Sequence, residues 1–476
     1  MNINKYNKMT ENKLILNKHI LIYHDVCKIY NDISNLQFNF CGLVITDIKN
    51  DIDKLNNIDN NTLLYLCGDI SYINNNVNLD RFTNIHIIRE LSYATELSYK
   101  YNSSIHSYYF HEVLRVKYNL INVGEVPINI HNVGVLFKHF FNTNKDYFKS
   151  LSSEHAFQSL TESNKVGTSY RKGLYITKVE VENDMRQASH ERDNISTHMS
   201  NRNENSSMNS SILYNSTHSI KFNLLRCSTN FDGPTDNFRQ TDNEIIEKVN
   251  NISKYFFEQK ADLNHVLAQV YENTKHGGIN QNKEVKATIK GHSDKTKDMP
   301  RNALIAFCTF YKNYQCNNFS SEELTKFKKS QDDIFDYVNK STSVLTHLRF
   351  RLKNMVKDET LTKQFDVILY PNSVFLMSLN TNRLYTHEIV PSILPVDMIP
   401  TRLGYVIRCS TTKAIFKDNQ TFIINDNEHI KLIEPTENSR KELKEKYYLE
   451  NLTDNFVLYN DIYYSMNKGD YTMPNL

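Results

Sequence analysis

From Asn183 to about Thr217 the chain almost stops supplying aliphatic side chains, and strand patterns resume at Ser219 and run to about Ile433. The polar stretch, RQASHERDNISTHMSNRNENSSMNSS, has too little apolar area to offset the entropy of ordering it. A disordered segment or a long surface insertion is therefore expected there. Beyond it, Ser219–Arg226 (SIKFNLLR) opens a run of strand-like segments, with helical spacing confined mainly to Glu244–Phe257 and Arg440–Tyr448. A half so dominated by strands folds as a β-sandwich or an open barrel.

Ahead of the insertion the pattern is mixed. The runs His19–Tyr23, Leu43–Thr46, Thr62–Cys67 and Ile85–Ile88 read as short strands, and Arg89–Tyr101 as a helix, which predicts an α/β region. Over Tyr147–Glu162 the residues Phe148, Leu151, Ala156, Phe157 and Leu160 fall near helical spacing, and Tyr170–Val181 alternates like a strand. A chain of 476 residues exceeds one ordinary domain. The expected organisation is an N-terminal α/β region over 1–150 and a connecting helix and strand over 151–182. The insertion over 183–217, a β-domain over 218–435 and a tail over 436–476 complete an α+β chain.

Composition narrows the setting. Hydrophobic residues at 39% and aromatics at 11% suffice for a sizeable core. Heavy use of Asn, Ile, Tyr and Lys matches AT-rich coding, as in many large DNA viruses, so the Asn content carries little functional information. A formal charge of +2 neither demands nor excludes a nucleic-acid partner. The seven cysteines (Cys27, Cys41, Cys67, Cys227, Cys308, Cys316, Cys409) form no CxxC pair and read as reduced thiols. The opening MNINKYNKMTENK has no apolar segment behind it, and no run approaches the roughly 18 apolar residues of a membrane span. The expectation is an intracellular protein, cytoplasmic or nuclear, with no membrane partner.

Chemistry concentrates in three places. In Lys290–Asp294 (KGHSD), His292 and Asp294 are two apart, so on a strand both leave the same face and can grip one cation. An H-x-D taken singly is far more often a turn with an exposed carboxylate. Far downstream, His387 in NRLYTHEIVPS would complete two imidazoles and one carboxylate. That set leaves three positions open on iron(II), as an oxygenase needs for a bidentate co-substrate and dioxygen. A lone histidine is more often an ordinary core or surface residue. In TRLGYVIRCS, Arg402 and Arg408 lie on one face of a strand. Two inward guanidinium groups are costly unless they meet anions, and a dicarboxylate held by forked hydrogen bonds would satisfy them. The plain alternative is an edge strand with both arginines in water.

The order of these pieces, H-x-D, then a distant His, then R-x5-R, is that of 2-oxoglutarate oxygenases, and more narrowly it resembles the AlkB family of oxidative demethylases. The segment Arg383-Leu384-Tyr385-Thr386-His387-Glu388-Ile389 is close to that family's R-L-F-x-H-G-I, and Arg402-x5-Arg408 has its paired-arginine spacing. Leu267-Ala268-Gln269-Val270-Tyr271 is similar to the family's co-substrate strand, with Gln269 where Asn is usual. The resemblance spans about Asn264–Arg408. It implies a double-stranded β-helix, or jelly roll, that binds iron(II), 2-oxoglutarate and O2. His292, Asp294 and His387 would be the metal ligands. Arg402 would hold the distal carboxylate, Arg408 would lie nearer the metal-bound end, and Tyr271 would donate its phenol to the co-substrate. The sequence departs from the family at Gly404 and Val406, where polar residues are usual, and in HSDKTKDMP, which lacks the family's Glu after the H-x-D pair.

The resemblance implies an AlkB-like dioxygenase that demethylates or hydroxylates a nucleic acid with release of succinate and CO2. The departures keep two alternatives open: a protein or small-molecule hydroxylase on the same scaffold, and a catalytically dead interaction protein.

Overall fold

The structure is a computed structural model, and it describes residues 14–23, 39–68, 70–89, 118–141, 144–160, 171–183, 218–225, 232–258, 260–276, 283–312, 326–330, 333–426, 428–459 and 461–476. Strands β1 (His19–Tyr23), β2 (Leu43–Ile45), β3 (Leu63–Cys67), β4 (Asn84–Arg89) and β5 (Asn119–Asn122) form a parallel sheet in the order β2-β1-β3-β4-β5. Parallel strands are buried on both faces, which is why HILIY and LLYLC are apolar nearly throughout instead of alternating. One face (Ile20, Ile22, Leu64, Leu66, Ile85, Ile87) packs with Leu55 of helix α1 (Ile52–Asn56) and Ile73 of α2 (Ile70–Asn76). From the other face, Leu21, Leu63, Tyr65 and Cys67 join the main core. The four N-terminal strands expected from sequence thus form, while the helix expected over Arg89–Tyr101 lies outside the described residues apart from Arg89, which ends β4.

Next come β6 (Ile128–Ile130), β7 (Gly134–Phe137), α3 (Tyr147–Glu154), β8 (Gln158–Ser159), β9 (Arg171–Thr177) and β10 (Glu180–Asn183). The expected boundary at 150 falls inside α3. Strands β6 and β7 already belong to the largest sheet, where β7 pairs with residues 374–377. The segment expected to be a connector supplies β9, an inner strand of that sheet. Beyond Asn183, the polar insertion up to 217 lies outside the described residues.

The second half contains β11 (His218–Leu224), β12 (Asp236–Asn237), α4 (Gln240–Ser253), β13 (His265–Tyr271), β14 (Thr274–His276), β15 (Lys283–Val285), β16 (Ile289–His292) and β17 (Leu304–Tyr311). Then follow β18 (Lys328–Lys329), β19 (Tyr337–Asn339), β20 (Thr342–Ser343), β21 (His347–Leu352), β22 (Gln364–Ile368), β23 (Ser373–Ser378), α5 (Leu379–Leu384) and β24 (Tyr385–Val390). The chain closes with β25 (Arg402–Arg408), β26 (Thr412–Lys417), β27 (Gln420–Asn425), β28 (Glu428–Lys431) and α6 (Glu437–Leu452).

Three sheets organise this half. The largest runs β12-β9-β13-β25-β17-β23-β7-β6, and a smaller one runs β16-β24-β21-β22. Their side chains meet in one core: Phe350 of β21 stands edge-on to Phe375 of β23, with ring centroids 5.6 Å apart. A third sheet, β10-β11-β26-β27-β28, has its own core of Ile220, Phe222, Leu224, Ala414, Phe416 and Ile423. Turn chemistry reflects the composition. Asp418 and Asn419 make the two-residue turn between β26 and β27 with positive φ of 51° and 58°, so Asx side chains take a role that glycine often fills. The tail packs back onto the body: Asn475 N–H donates to Thr235, and Arg239 donates to the carbonyl of Leu476. Among the described residues no helix is long and apolar enough to cross a membrane.

Candidate metal centre

Strands β16 and β24 are neighbours in the smaller sheet, and their register sets His292 opposite His387, with ring centroids 4.5 Å apart. Asp294 follows two residues on, at the start of the connection to β17. The Nε2 atoms of His292 and His387 lie 3.7 and 3.9 Å from Oδ1 of Asp294. Those separations are too long for hydrogen bonds. They suit ligands of one cation, since bonds of about 2.0–2.2 Å allow two ligand atoms up to about twice that separation. Ligand atoms of all three residues fall within 4.8 Å of one another.

The other carboxylate oxygen is already taken. Arg408 donates to Oδ2 of Asp294 from both Nε and Nη2, each at 2.9 Å. Oδ1 is thereby left toward the two imidazoles. Burial by itself would raise the Asp294 pKa, but the Arg408 guanidinium, with the two histidines behind it, holds it below the usual carboxylate range. Burial pushes His387 down to about 3 and also lowers His292. At neutral pH the trio is therefore one ionised carboxylate and two neutral imidazoles, the protonation state that metal binding requires. His292 Nδ1 lies 2.9 Å from the carbonyl oxygen of Lys290; a proton on that nitrogen turns the Nε2 lone pair toward Asp294. His387 is walled by Phe307 and Phe350, at centroid distances of 5.3 and 5.9 Å. Side-chain exposure is 34% at His292 against 4% at His387 and 6% at Asp294, so solvent reaches the trio from the β16 side.

Across from the trio, β25 alternates as its sequence predicts. Leu403, Tyr405 and Ile407 are fully buried on one face, and Tyr405 donates to Asp242 at 2.6 Å. Arg402, Gly404, Val406 and Arg408 share the other face, in register with Tyr271, Gln269, Leu267 and His265 of β13. Both arginines are buried, so the solvent-facing alternative does not apply. The Arg402 guanidinium carbon sits 4.0 Å over the Tyr271 ring, and its Nε and Nη2 are buried with no hydrogen-bond partner among the described residues. Unpaired buried donors on a cation are costly, and an anion is the ligand that would satisfy them. Gly404 makes room for this arrangement: a Cβ there would stand 2.8 Å from Arg402 Nη1 and 3.2 Å from Tyr271 Cε2. The Tyr271 hydroxyl donates to Gln269 Oε1 at 3.0 Å. Gln269, where the resemblance leads one to expect Asn, is therefore the partner of this tyrosine.

Glu154, His155 and Asp242 also come close enough to hold a cation. There, however, His155 uses Nδ1 on Asp236 at 2.9 Å and Nε2 on Asp242 at 2.8 Å. With both nitrogens so engaged, no lone pair is left for a metal, and the cluster reads as a buried ion triad. Sequence reasoning missed the side chains that hold the loop carrying Asp294, namely Asn382, Glu450 and Asn451. No local motif marks them, because each acts across the fold.

Among known proteins, no family model matches the chain and no curated protein matches it. A crystal structure of a bsmA homolog from Methylobium petroleophilum PM1 is similar over 56% of this chain and 82% of that one, at 9% identity and a TM-score of 0.24. A likeness at that level carries no argument about fold or function.

Proposed function

We propose that this protein is an iron(II)/2-oxoglutarate-dependent dioxygenase, AlkB-like, built on a double-stranded β-helix formed by the largest and smaller sheets. One observation carries the reading: two imidazole Nε2 atoms converge on Oδ1 of Asp294 while Arg408 occupies Oδ2, beside a buried Arg402 with unpaired donors. Two histidines and one carboxylate suit iron(II) and leave coordination positions for co-substrate and O2. The donor set therefore fits the metal, and Arg402 fits the far carboxylate of a dicarboxylate acid. When bound, iron(II), 2-oxoglutarate and O2 supply the oxidation of a C–H bond, with 2-oxoglutarate leaving as succinate and CO2.

The chain's own part is positioning. Arg408 keeps Asp294 ionised and turned to present one oxygen. Arg402 would bind the co-substrate with its guanidinium seated on the Tyr271 ring, whose phenol is held by Gln269, and Phe307 and Phe350 keep water from the His387 side. For the substrate, the R-L-Y-x-H-E-I and R-x5-R matches favour a methylated nucleic acid, whose N-methyl group would be hydroxylated and released as formaldehyde. A second reading, a protein or small-molecule hydroxylase, is favoured by Leu267 and Val406. This apolar pair lies in register between the arginine positions and remains partly exposed in the middle of the largest sheet.

The test incubates the protein with iron(II), 2-oxoglutarate and methylated oligonucleotides and follows succinate and formaldehyde. Both should appear, and neither with Asp294→Ala. Succinate without formaldehyde would refute the nucleic-acid substrate and leave the enzyme class. No succinate under any condition would refute the class.

A further inference from the structure

The four residues that follow His292 are each fixed by a side chain or carbonyl remote in sequence. Asp294 is clamped at both backbone groups by one side chain: its N–H donates to Asn382 Oδ1 at 2.8 Å, and its carbonyl accepts from Asn382 Nδ2 at 2.9 Å. The other three are held by the end of α6. Ser293 N–H donates to Asn451 Oδ1 at 2.7 Å. Thr296 donates to Glu450 Oε1 from its N–H at 3.0 Å and from its hydroxyl. Lys295 donates to the Tyr447 carbonyl at 3.2 Å, its ammonium 5.0 Å over the Tyr447 ring. The helix end is itself tied down: Lys353, buried beside β24, donates to the carbonyls of Glu450 at 2.6 Å and Thr453 at 3.1 Å. A cation there also favours the negative end of the helix dipole.

From this geometry we infer that α6 is part of the metal centre, with Asn451 as the positioning residue that, with Asn382, holds the Ser293–Asp294 backbone so that Oδ1 faces both histidines. The inference rests on the proposed metal site and goes beyond it, because α6 lies outside the segment that carries the family resemblance. A carboxylate on a loop loses metal affinity when the loop can rotate, since the ligand then pays ordering entropy at each binding event. The Ser293 N–H bond to Asn451 removes one rotation immediately before the ligand. Arg408 fixes the far end of the same carboxylate, so backbone and side chain are constrained independently.

The test is Co(II) affinity of the full chain, measured by titration and by the visible ligand-field bands, beside the thermal midpoint of each metal-free protein. Asn451→Ala should bind Co(II) about tenfold more weakly or worse. Asn451→Asp, which keeps an acceptor oxygen for Ser293, should recover most of the affinity. Lys441→Ala, at an exposed position on the same helix, should match wild type. All four metal-free proteins should melt within a degree or two of one another. Wild-type affinity in Asn451→Ala would overturn the inference and leave the metal site standing. Equal weakening in the alanine and aspartate variants, with lowered midpoints in both, would overturn it in favour of a plain packing role. Absence of Co(II) binding by wild type, matched by His292→Ala, would overturn the metal reading and this inference with it.

Discussion

Raising the pH from 6 to 9 should remove about 3 kcal/mol of folding stability through one side chain, His155. Its imidazole is fully buried between Asp236 and Asp242, with each ring nitrogen on a carboxylate. Burial opposes the charged ring, but the two hydrogen-bonded carboxylates outweigh it and raise the pKa from 6.5 to about 9. A raised folded-state pKa means stability that is fully present below the unfolded value and lost as pH climbs through the folded one. The window therefore runs from about pH 6.5 to about pH 9, and the rise from 6.5 to about 9 is worth about 3 kcal/mol. Urea denaturation at half-unit steps from pH 6 to 9.5 measures it. Burial also raises Cys41 and Cys409 to about 12, so their thiols add alkaline instability of their own. His155→Gln isolates the imidazole, because that variant keeps the cysteines and loses only the ring's titration. Wild type minus variant should shrink steadily across the window. A difference that stays flat with pH would refute the charged triad.

Gly404→Ala places a methyl group 2.8 Å from Arg402 Nη1, so the guanidinium must move while the core strand stays. The KM for 2-oxoglutarate should rise about tenfold, the value of a misplaced charge-assisted pair, with Co(II) affinity unchanged; equal KM values would show that Arg402 holds no anion. Arg408→Met leaves the buried Asp294 carboxylate without its guanidinium, and removing one partner of a buried pair costs about 3–5 kcal/mol. Denaturant unfolding of the metal-free variant reads this directly, and a loss below about 1 kcal/mol would mean that Asp294 is compensated elsewhere.

The parts legible in the sequence are those that local periodicity encodes. The apolar runs HILIY and LLYLC announce buried parallel strands, because a strand covered on both faces cannot alternate. The R-x5-R segment announces a strand with both guanidinium groups on one face, since strand periodicity leaves no other arrangement. The convergence of His292, Asp294 and His387 could be anticipated only from their order along the chain. Its geometric cause, the pairing of β16 with β24, is a long-range register that no window of sequence contains. The contribution of β6, β7 and β9 to the largest sheet was hidden for the same reason, as was the role of Asn451 and Glu450. A helix read from its own spacing says which face is polar, and nothing about which loop that face grips.

Strand β25 links the two buried charge clusters, and the comparison between them separates structural from functional charge. On one face, Tyr405 reaches Asp242, whose negative charge is met by His155. On the other, Arg408 meets Asp294 with two donors. Each of these buried charges finds its counter-charge inside the protein, as folding stability demands. Arg402 breaks the pattern: six residues before Arg408 on the same face, it keeps two buried nitrogens without a partner among the described residues and leans on the Tyr271 ring. Among the described residues no carboxylate pairs with it, and a side chain at Gly404 would crowd it. Arg408 on this strand is met by Asp294, whereas an anion from outside would complete Arg402, beside three groups whose ligand atoms lie close enough together to hold a metal ion.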